Sequence, residues 1–450
     1  MSKLSQLQLR KLQEIERDTE FKNELSHRKR AQNQKTGILQ RINLGYLHYY
    51  DFPNNSGGEQ LCLMLVEQNH GVNSKQRAAL QRLTYTLLNK GWASWLNDGR
   101  IVNALAAVAK YENTWQNDLT AYKPISHNAY REFAHLLRYL FAEYPIPVFL
   151  DTAFYYQNDT HIRWYLHLAR GGSVRTLDNM PLHLTQKMRH YFLQAPAEAT
   201  IPQALRYAQV LGLGGSRRLA RLVMQTRLGE NFDNEVFWET VLVFLVQNQM
   251  LDPVYVPSII DFLQYMKYEN QEVIDENGRT QYLPAPDHAF SMKGRTVVAL
   301  LRLVEIWEIV SKKAATPKTE APNWNGLPLP DFSWTEGEGL QSVTYRIKQI
   351  RTIYALREEG RIMSHCVATY CGSCINGVTS IWSMSCEDAC GNSKRLITIE
   401  LNKALQIQQA RGNCNYMPEK KAYELLLLWA NRYALRLSAD VAGYEANLPT

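Results

Sequence analysis

Residues 396–412 read LITIELNKALQIQQARG and set the architecture of the C-terminal quarter of the chain. In the first half of this stretch, three apolar residues alternate with Thr398 and Glu400, which is typical of a strand with one apolar and one polar face. A second short run of strand-forming residues covers 405–410. Because Asn402-Lys403 lies between the two runs, we predict a tight antiparallel hairpin.

A third run of strand-forming residues, SIWSMS, precedes the hairpin at 380–385. Around these three strands, apolar residues recur at helical spacing over 345–361, 363–374 and 419–437. The sequence therefore predicts a small α+β domain with a three-stranded antiparallel meander.

Residues 44–310 have a different pattern, in which apolar residues recur every three or four positions between Gly- and Pro-rich breaks. The Gly-rich stretch 212–215 lacks the lysine of a phosphate-binding loop and follows a helical pattern, so we interpret it as a turn between helices. The predicted fold class is α+β, with a mainly α-helical N-terminal body and the small α+β domain after it.

Four prolines between 311 and 334 interrupt any regular element. We therefore predict a basic N-terminal helical arm at 1–43, a helical domain at 44–311, a Pro-rich linker at 312–335 and the α+β domain at 336–450.

The composition is that of an ordinary globular protein, with 450 residues of which 45% are hydrophobic and 21% charged. It excludes a disordered or collagen-like chain. The start of the chain has no apolar run of the kind a secretion signal needs, and no stretch is apolar enough to span a membrane. We therefore expect a cytoplasmic protein without a membrane partner.

The formal net charge is +7, and residues 1–43 contribute an excess of five basic residues to it. The densest basic run includes Arg28, Lys29 and Arg30. It fits either a solvated helix face or a surface that contacts the phosphates of DNA or RNA.

Polar and reactive residues concentrate between 358 and 415. His365 and Cys366 are neighbours, so on a helix their side chains diverge by about 100° and make a poor nucleophile–base pair. His365 could instead act as a general acid or base with Glu400. The alternative is that both His365 and Cys366 are buried core residues.

Gln409 and Arg411 are two positions apart and point to the same side of a strand. An amide beside a guanidinium suits recognition of a phosphate, a carboxylate or a base edge, although a plain exposed strand has the same pattern. The candidate catalytic residues are His365, Glu400, Gln409 and Arg411. Further candidate binding residues in this region are Glu359, Cys366, Tyr370, Thr398 and Asn415.

Six of the seven cysteines lie in the last quarter of the chain. Cys371, Cys374, Cys386 and Cys390 form two close pairs, a spacing that could hold zinc as a cofactor. Free buried thiols and a redox-active Cys371-Cys374 pair are the alternatives.

The order of residues in this region resembles that of the PcfJ-like family of bacterial conjugative plasmids, phages and other mobile elements. The resemblance rests on these elements: Glu359-Gly360, His365-Cys366-Val367 with Tyr370, Thr398-x-Glu400, Gln409-x-Arg411-Gly412 and Asn415. It implies association with mobile DNA but names no reaction.

Three functions follow as hypotheses. The first is an accessory protein of a mobile element that binds or acts on DNA, RNA or a nucleoprotein partner, alone or with another protein of the same element as its partner. The second is an enzyme, either a hydrolase or a nuclease, with its site in the C-terminal domain. The third is a structural interaction protein whose C-terminal domain is stabilised by zinc or by thiols.

Overall fold

A computed structural model describes residues 56–66, 74–274, 280–312 and 323–444. The predicted basic arm, with Arg28, Lys29 and Arg30, lies outside the described residues. Contacts divide the chain into two compact units, one formed by residues 1–180 and 196–201 and the other by residues 181–195 and 202–450. The helices from 202 onward thus belong to the same unit as the C-terminal sheet, while the domain boundaries drawn from the sequence stay a prediction.

The regular elements in the described part of the first unit are all helices. Its helices are α1 (Gly57–Val66), α2 (Ser74–Asn89), α3 (Gly99–Lys110), α4 (Ala129–Phe141), α5 (Thr152–Tyr155) and α6 (Asp159–Ala169). Side-chain oxygens define where several of them begin; Asn128, for example, accepts hydrogen bonds from the first backbone N–H groups of α4. Rings of Phe133, Phe141 and Phe154 pack against one another at the core of this unit.

The second unit contains the remaining described helices. These are α7 (Gln186–Leu193), α8 (Ile201–Gly212, from its second residue), α9 (Arg217–Val223), α10 (Glu235–Gln247), α11 (Val256–Tyr268), α12 (Val297–Lys312), α13 (Ile353–Ile362), α14 (Cys371–Ile375), α15 (Lys420–Arg432) and α16 (Ala439–Ala442). The predicted turn at 212–215 is present between α8 and α9: Gly212 ends α8, and residues 213–215 follow it outside the helix. Gly214 has a φ of 97°, a conformation that favours glycine.

The second unit also contains all the described strands. A small hairpin pairs β1 (Gln271–Ile274) with β2 (Thr280–Leu283). The main sheet has six strands in chain order: β3 (Phe332–Glu336), β4 (Val343–Ile350), β5 (Thr379–Asp388), β6 (Ser393–Asn402), β7 (Gln406–Arg411) and β8 (Arg436–Leu437). Neighbouring strands are antiparallel from β3 to β7, and β8 adds in parallel to β7.

Both faces of the main sheet are covered. On one face, buried residues of the central strands, such as Trp382 and Ile399, pack against Trp429 of α15. On the other face, Ile350 and Ile381 pack with residues of α13 and of the segment 367–374. Polar side chains that share this second face are therefore enclosed by protein.

The predicted fold class is confirmed: the described residues form a mainly helical body and a C-terminal antiparallel sheet. The helix predicted over 345–361 was wrong in its first half, because residues 343–350 form strand β4 and the helix begins at Ile353. The predicted helix over 363–374 is a short 3-10 segment, Val367–Tyr370, followed by α14. No described helix has the length and apolar character needed to cross a membrane.

We expect the substitution Ile399→Ala to lower the free energy of unfolding by about 2–5 kcal/mol, because it leaves a cavity at a fully buried position in the central strand. The matched substitution Ile306→Ala, at a position 52% exposed on α12, should change it by less than about 0.5 kcal/mol. Urea denaturation followed by circular dichroism measures both; equal effects would contradict the core assignment.

Candidate functional site

The strand pairing places four of the predicted site residues on one face of the main sheet. Thr398 lies opposite Arg411, and Glu400 lies opposite Gln409, across β6 and β7. Residues two apart on a strand point to the same face, and so do directly paired residues. This polar face is the one covered by α13 and α14.

Glu400 is fully buried and is the centre of one hydrogen-bond network. One carboxylate oxygen accepts from a terminal guanidinium nitrogen of Arg218 at 2.7 Å. The other accepts from the Tyr370 hydroxyl at 2.9 Å and from the Gln409 amide at 3.0 Å. Burial raises the pKa of Tyr370 well above its usual value, so the phenol stays a neutral donor.

Thr398 is the centre of a second, neighbouring network. Its hydroxyl donates to the buried carboxylate of Glu359 at 2.6 Å, and Nε2 of His365 lies 2.9 Å from the same hydroxyl oxygen. Because the hydroxyl proton points to Glu359, this network assigns a proton to Nε2 of a neutral His365. Arg395 forms an ion pair with Glu359 at 3.2 Å.

Burial acts on the ionisation of both acid–base groups in this second network. It lowers the pKa of His365 to about 4 and raises the pKa of Glu359. Nδ1 of His365 is buried without a hydrogen-bond partner among the described residues. A neutral imidazole in this position connects β6 to the segment that follows α13.

The structure brings Glu400 and Gln409 together but separates the other two candidate catalytic residues from them. His365 contacts Thr398, not Glu400. Arg411 donates to the Gln249 side chain, and its guanidinium lies 5.6 Å from the centre of the Tyr444 ring. The guanidinium that does reach Glu400 comes from Arg218. The catalytic roles themselves stay a prediction.

Cys366 and Asn415 contact the loop after α10. The Cys366 sulfur lies 3.8 Å from the backbone oxygen of Asn248, and burial raises the pKa of this thiol to about 12. A thiol with so high a pKa is a poor nucleophile. The Asn415 amide accepts from the backbone N–H of Met250 and donates to the carbonyl of Gln247.

Beside Glu400 lies a cavity of about 480 Å³ that opens to solvent. Its walls come from α9, the loop after α10, α14, the start of β5 and the end of β6. The charged and hydroxyl-bearing residues that line it are Arg218, Arg221, Asp252, Tyr370, Ser373, Thr379 and Glu400.

Asp252 forms part of the cavity wall and is almost completely buried. Its carboxylate accepts hydrogen bonds from the Ser373 hydroxyl and from the backbone N–H of Val254. Burial is the largest influence on this carboxyl group and raises its pKa. A buried carboxylate with a raised pKa next to a hydroxyl is an arrangement that can exchange a proton.

The electrostatic character of the cavity follows from which charges face solvent. Arg218 and Arg221 are three positions apart on α9, so they share a helix face, and both are exposed. The two carboxylates, Asp252 and Glu400, lie beneath the surface, and Glu400 is paired with Arg218. The accessible surface therefore favours an anionic ligand.

Sequence reasoning missed Arg218, Asp252 and Ser373. Arg218 precedes its partner Glu400 by 182 positions, and no local pattern connects the two. The signal that existed was the run of arginines at 217, 218 and 221, which is typical of an exposed basic helix.

The four cysteines proposed as zinc ligands do not meet. Cys371 and Cys374 are buried in the apolar cluster that contains Ile381. Cys386 lies five residues further along β5 than Ile381, roughly 16 Å away at the rise of a strand. Within the described residues, no group of three or more His, Cys, Asp or Glu side chains could hold a metal ion.

The family model described as PcfJ-like protein matches residues 309–425. The match confirms the resemblance over this range, which contains both hydrogen-bond networks on the sheet except for Arg218. Comparisons with curated proteins and with solved structures found no match. Arg218 and Asp252 lie before the matched range, so the cavity combines side chains from inside and outside it.

The lowered pKa of His365 predicts a pH dependence of stability. Between about pH 6.5 and pH 4 the unfolded chain takes up a proton on this imidazole that the folded chain does not, so stability falls as the pH falls. We expect His365→Gln to reduce this fall by up to about 1.4 kcal/mol per pH unit. Urea denaturation at pH 6.5, 5.5 and 4.5 measures it.

The matched control is His183→Gln, which changes an exposed histidine of the same unit. Its pH profile should follow that of the unsubstituted protein. If the His365→Gln profile also matches that of the unsubstituted protein, the His365 imidazole titrates normally in the folded chain.

Proposed function

We propose that the chain is an accessory protein of a bacterial mobile element that binds nucleic acid, free or within a nucleoprotein assembly. In this proposal the cavity beside Glu400 takes a backbone phosphate. The observation that carries it is the exposed guanidinium of Arg218, which a buried carboxylate holds in place at the cavity wall. The match to the PcfJ-like family supports the association with mobile DNA.

Arg218 suits this role because its orientation is fixed before a ligand arrives. One terminal nitrogen is committed to Glu400, while 41% of the side chain stays exposed. A guanidinium presents five N–H donors in a planar fork, so donors remain for a phosphate oxygen. Arg221, on the same face of α9, adds a second positive charge at the cavity.

The carboxylates of the cavity do not cancel this attraction. Glu400 has no exposed surface, so its ion pair with Arg218 presents only the guanidinium to solvent, and Arg221 supplies the net positive charge. Asp252 is 3% exposed, and its carboxylate accepts hydrogen bonds from the Ser373 hydroxyl and the backbone N–H of Val254. A phosphate at the mouth of the cavity therefore meets cationic side chains before it meets anionic ones.

We expect Arg221→Gln to weaken binding of a fluorescent 20-nucleotide DNA or RNA and to lower the slope of log affinity against log salt by about 1, the change expected for one lost phosphate contact. Fluorescence anisotropy between 50 and 200 mM salt measures both. Arg131→Gln, which removes an exposed arginine from the first unit, is the matched control. Absence of binding at 50 mM salt, or equal behaviour of the two variants, would refute the proposal.

A hydrolase or nuclease is the second candidate function. What favours it is the Ser373 hydroxyl bound to the buried carboxylate of Asp252 in the same cavity. With the phosphate held by Arg218, Asp252 would take the proton of Ser373, whose oxygen would bond to phosphorus as the P–O bond to one sugar oxygen breaks. The Asp252 proton would pass to that leaving oxygen, and water would then hydrolyse the phosphoserine. Glu400, a candidate catalytic residue from the sequence, would then act by positioning Arg218.

Cleavage assays on the same labelled oligonucleotides, with and without magnesium, test this candidate. If the chain cleaves them, Asp252→Asn and Ser373→Ala should each lower the rate by at least about 100-fold. Ser333→Ala, an exposed serine on β3, should leave the rate unchanged. An uncut oligonucleotide under all these conditions rejects phosphodiester hydrolysis at this site.

A further inference from the structure

An open groove of about 1220 Å³ lies on the second unit, apart from the cavity beside Glu400. One wall is α10, another is the end of α11, and the third is the loop 289–295 that leads into α12. The aromatic and charged residues that line it are Glu235, Phe237, Glu239, Phe244, Lys267, Tyr268, Phe290, Lys293 and Arg295.

Cations lie against aromatic rings in this groove. The Lys267 ammonium lies 5.1 Å from the centre of the Phe237 ring and 5.8 Å from that of Tyr268. It also donates to the backbone oxygens of His288 and Phe290, which fix its position. Phe237 and Tyr268 are half-buried and meet edge to face, with ring centres 5.8 Å apart, so each keeps part of its surface accessible.

Arg295 lies over Phe290, with its guanidinium carbon 3.9 Å from the ring centre. Its Nε donates to the backbone oxygen of Ser291, while its two terminal nitrogens have no partner among the described residues. Lys293, two positions earlier, is exposed. Both residues immediately precede the N-terminus of the 16-residue helix α12, whose dipole adds positive potential there.

Part of the negative charge in the groove is neutralised by a buried arginine. Both oxygens of Glu235 accept from the guanidinium of the fully buried Arg206. That leaves Glu239 as the uncompensated acid among the groove-lining residues, against the three cations Lys267, Lys293 and Arg295. The groove therefore has an excess of positive charge.

We propose that this groove binds single-stranded nucleic acid, a proposal that rests on the proposed function and specifies its substrate class. Lys293 and Arg295 contact the phosphates, while bases stack on Phe237 and Tyr268. Proteins that hold single strands combine a cationic groove with stacking rings in this way. A duplex does not suit the site, because its base faces are already stacked on one another.

The test measures binding of a fluorescent 20-nucleotide oligothymidylate to the full chain by anisotropy at 50 and 150 mM salt. We expect Arg295→Gln and Tyr268→Leu each to weaken binding by about fivefold or more. The matched controls are Arg302→Gln, which removes an exposed arginine of α12 outside the groove, and Tyr282→Leu, which changes a tyrosine 70% exposed on β2. Both controls should bind as the unsubstituted chain does.

Unlabelled duplex DNA serves as the competitor, and thermal unfolding confirms that each variant folds. The proposal is overturned if Arg295→Gln matches Arg302→Gln, or if the duplex competes as well as the single strand. Comparison with Arg221→Gln separates the two sites. Binding that depends on Arg221 but not on Arg295 refutes the groove alone, whereas binding that depends on Arg295 but not on Arg221 refutes the phosphate site in the cavity.

Discussion

Glu400 has no contact with solvent, and a buried carboxylate is costly unless a counter-charge and several donors surround it. Here Arg218 supplies the charge, and Tyr370 and Gln409 supply further hydrogen bonds. To bring these groups together, the sheet, α9 and the segment after α13 must all be in their native positions. Satisfying this one side chain therefore requires the native architecture of the second unit.

The sequence was most informative where one strand face is apolar and the other polar. The alternation around Thr398 and Glu400 correctly predicted β6 and placed both residues on the polar face. The spacing of apolar residues was misleading at β4, because Ile347 and Ile350 are three positions apart, as they would be on one face of a helix. In the structure they point to opposite faces of a sheet that is covered on both sides, and each packs in a different cluster. Apolar spacing alone cannot separate these two cases.

The candidate site was predicted in part for a similar reason. Glu400 and Gln409 could be placed together because local strand pairing fixes their positions. Arg411 lies on the same face of the sheet as Gln409, but its longer side chain reaches Gln249. The position of Gln249 depends on the tertiary packing of the helical segments. Arg218 and Asp252 come from the helical part of the chain, where a charged residue on a helix face is most often only solvated. These residues reach the site only through tertiary packing, which no local sequence pattern indicates.

The range that matches the PcfJ-like family, 309–425, contains the buried carboxylates Glu359 and Glu400 but only part of what compensates them. Thr398 and Arg395, the hydrogen-bond and ion-pair partners of Glu359, lie inside the range. Glu400 depends on Arg218, which lies outside it, and the apolar cluster under Tyr370 includes Met250, which lies outside it as well. The matched segment thus leaves one charge to be neutralised and one apolar surface to be covered by the preceding helices. This dependence explains why residues from 202 onward form one compact unit with the sheet, and why the cavity forms where the two parts of the sequence meet.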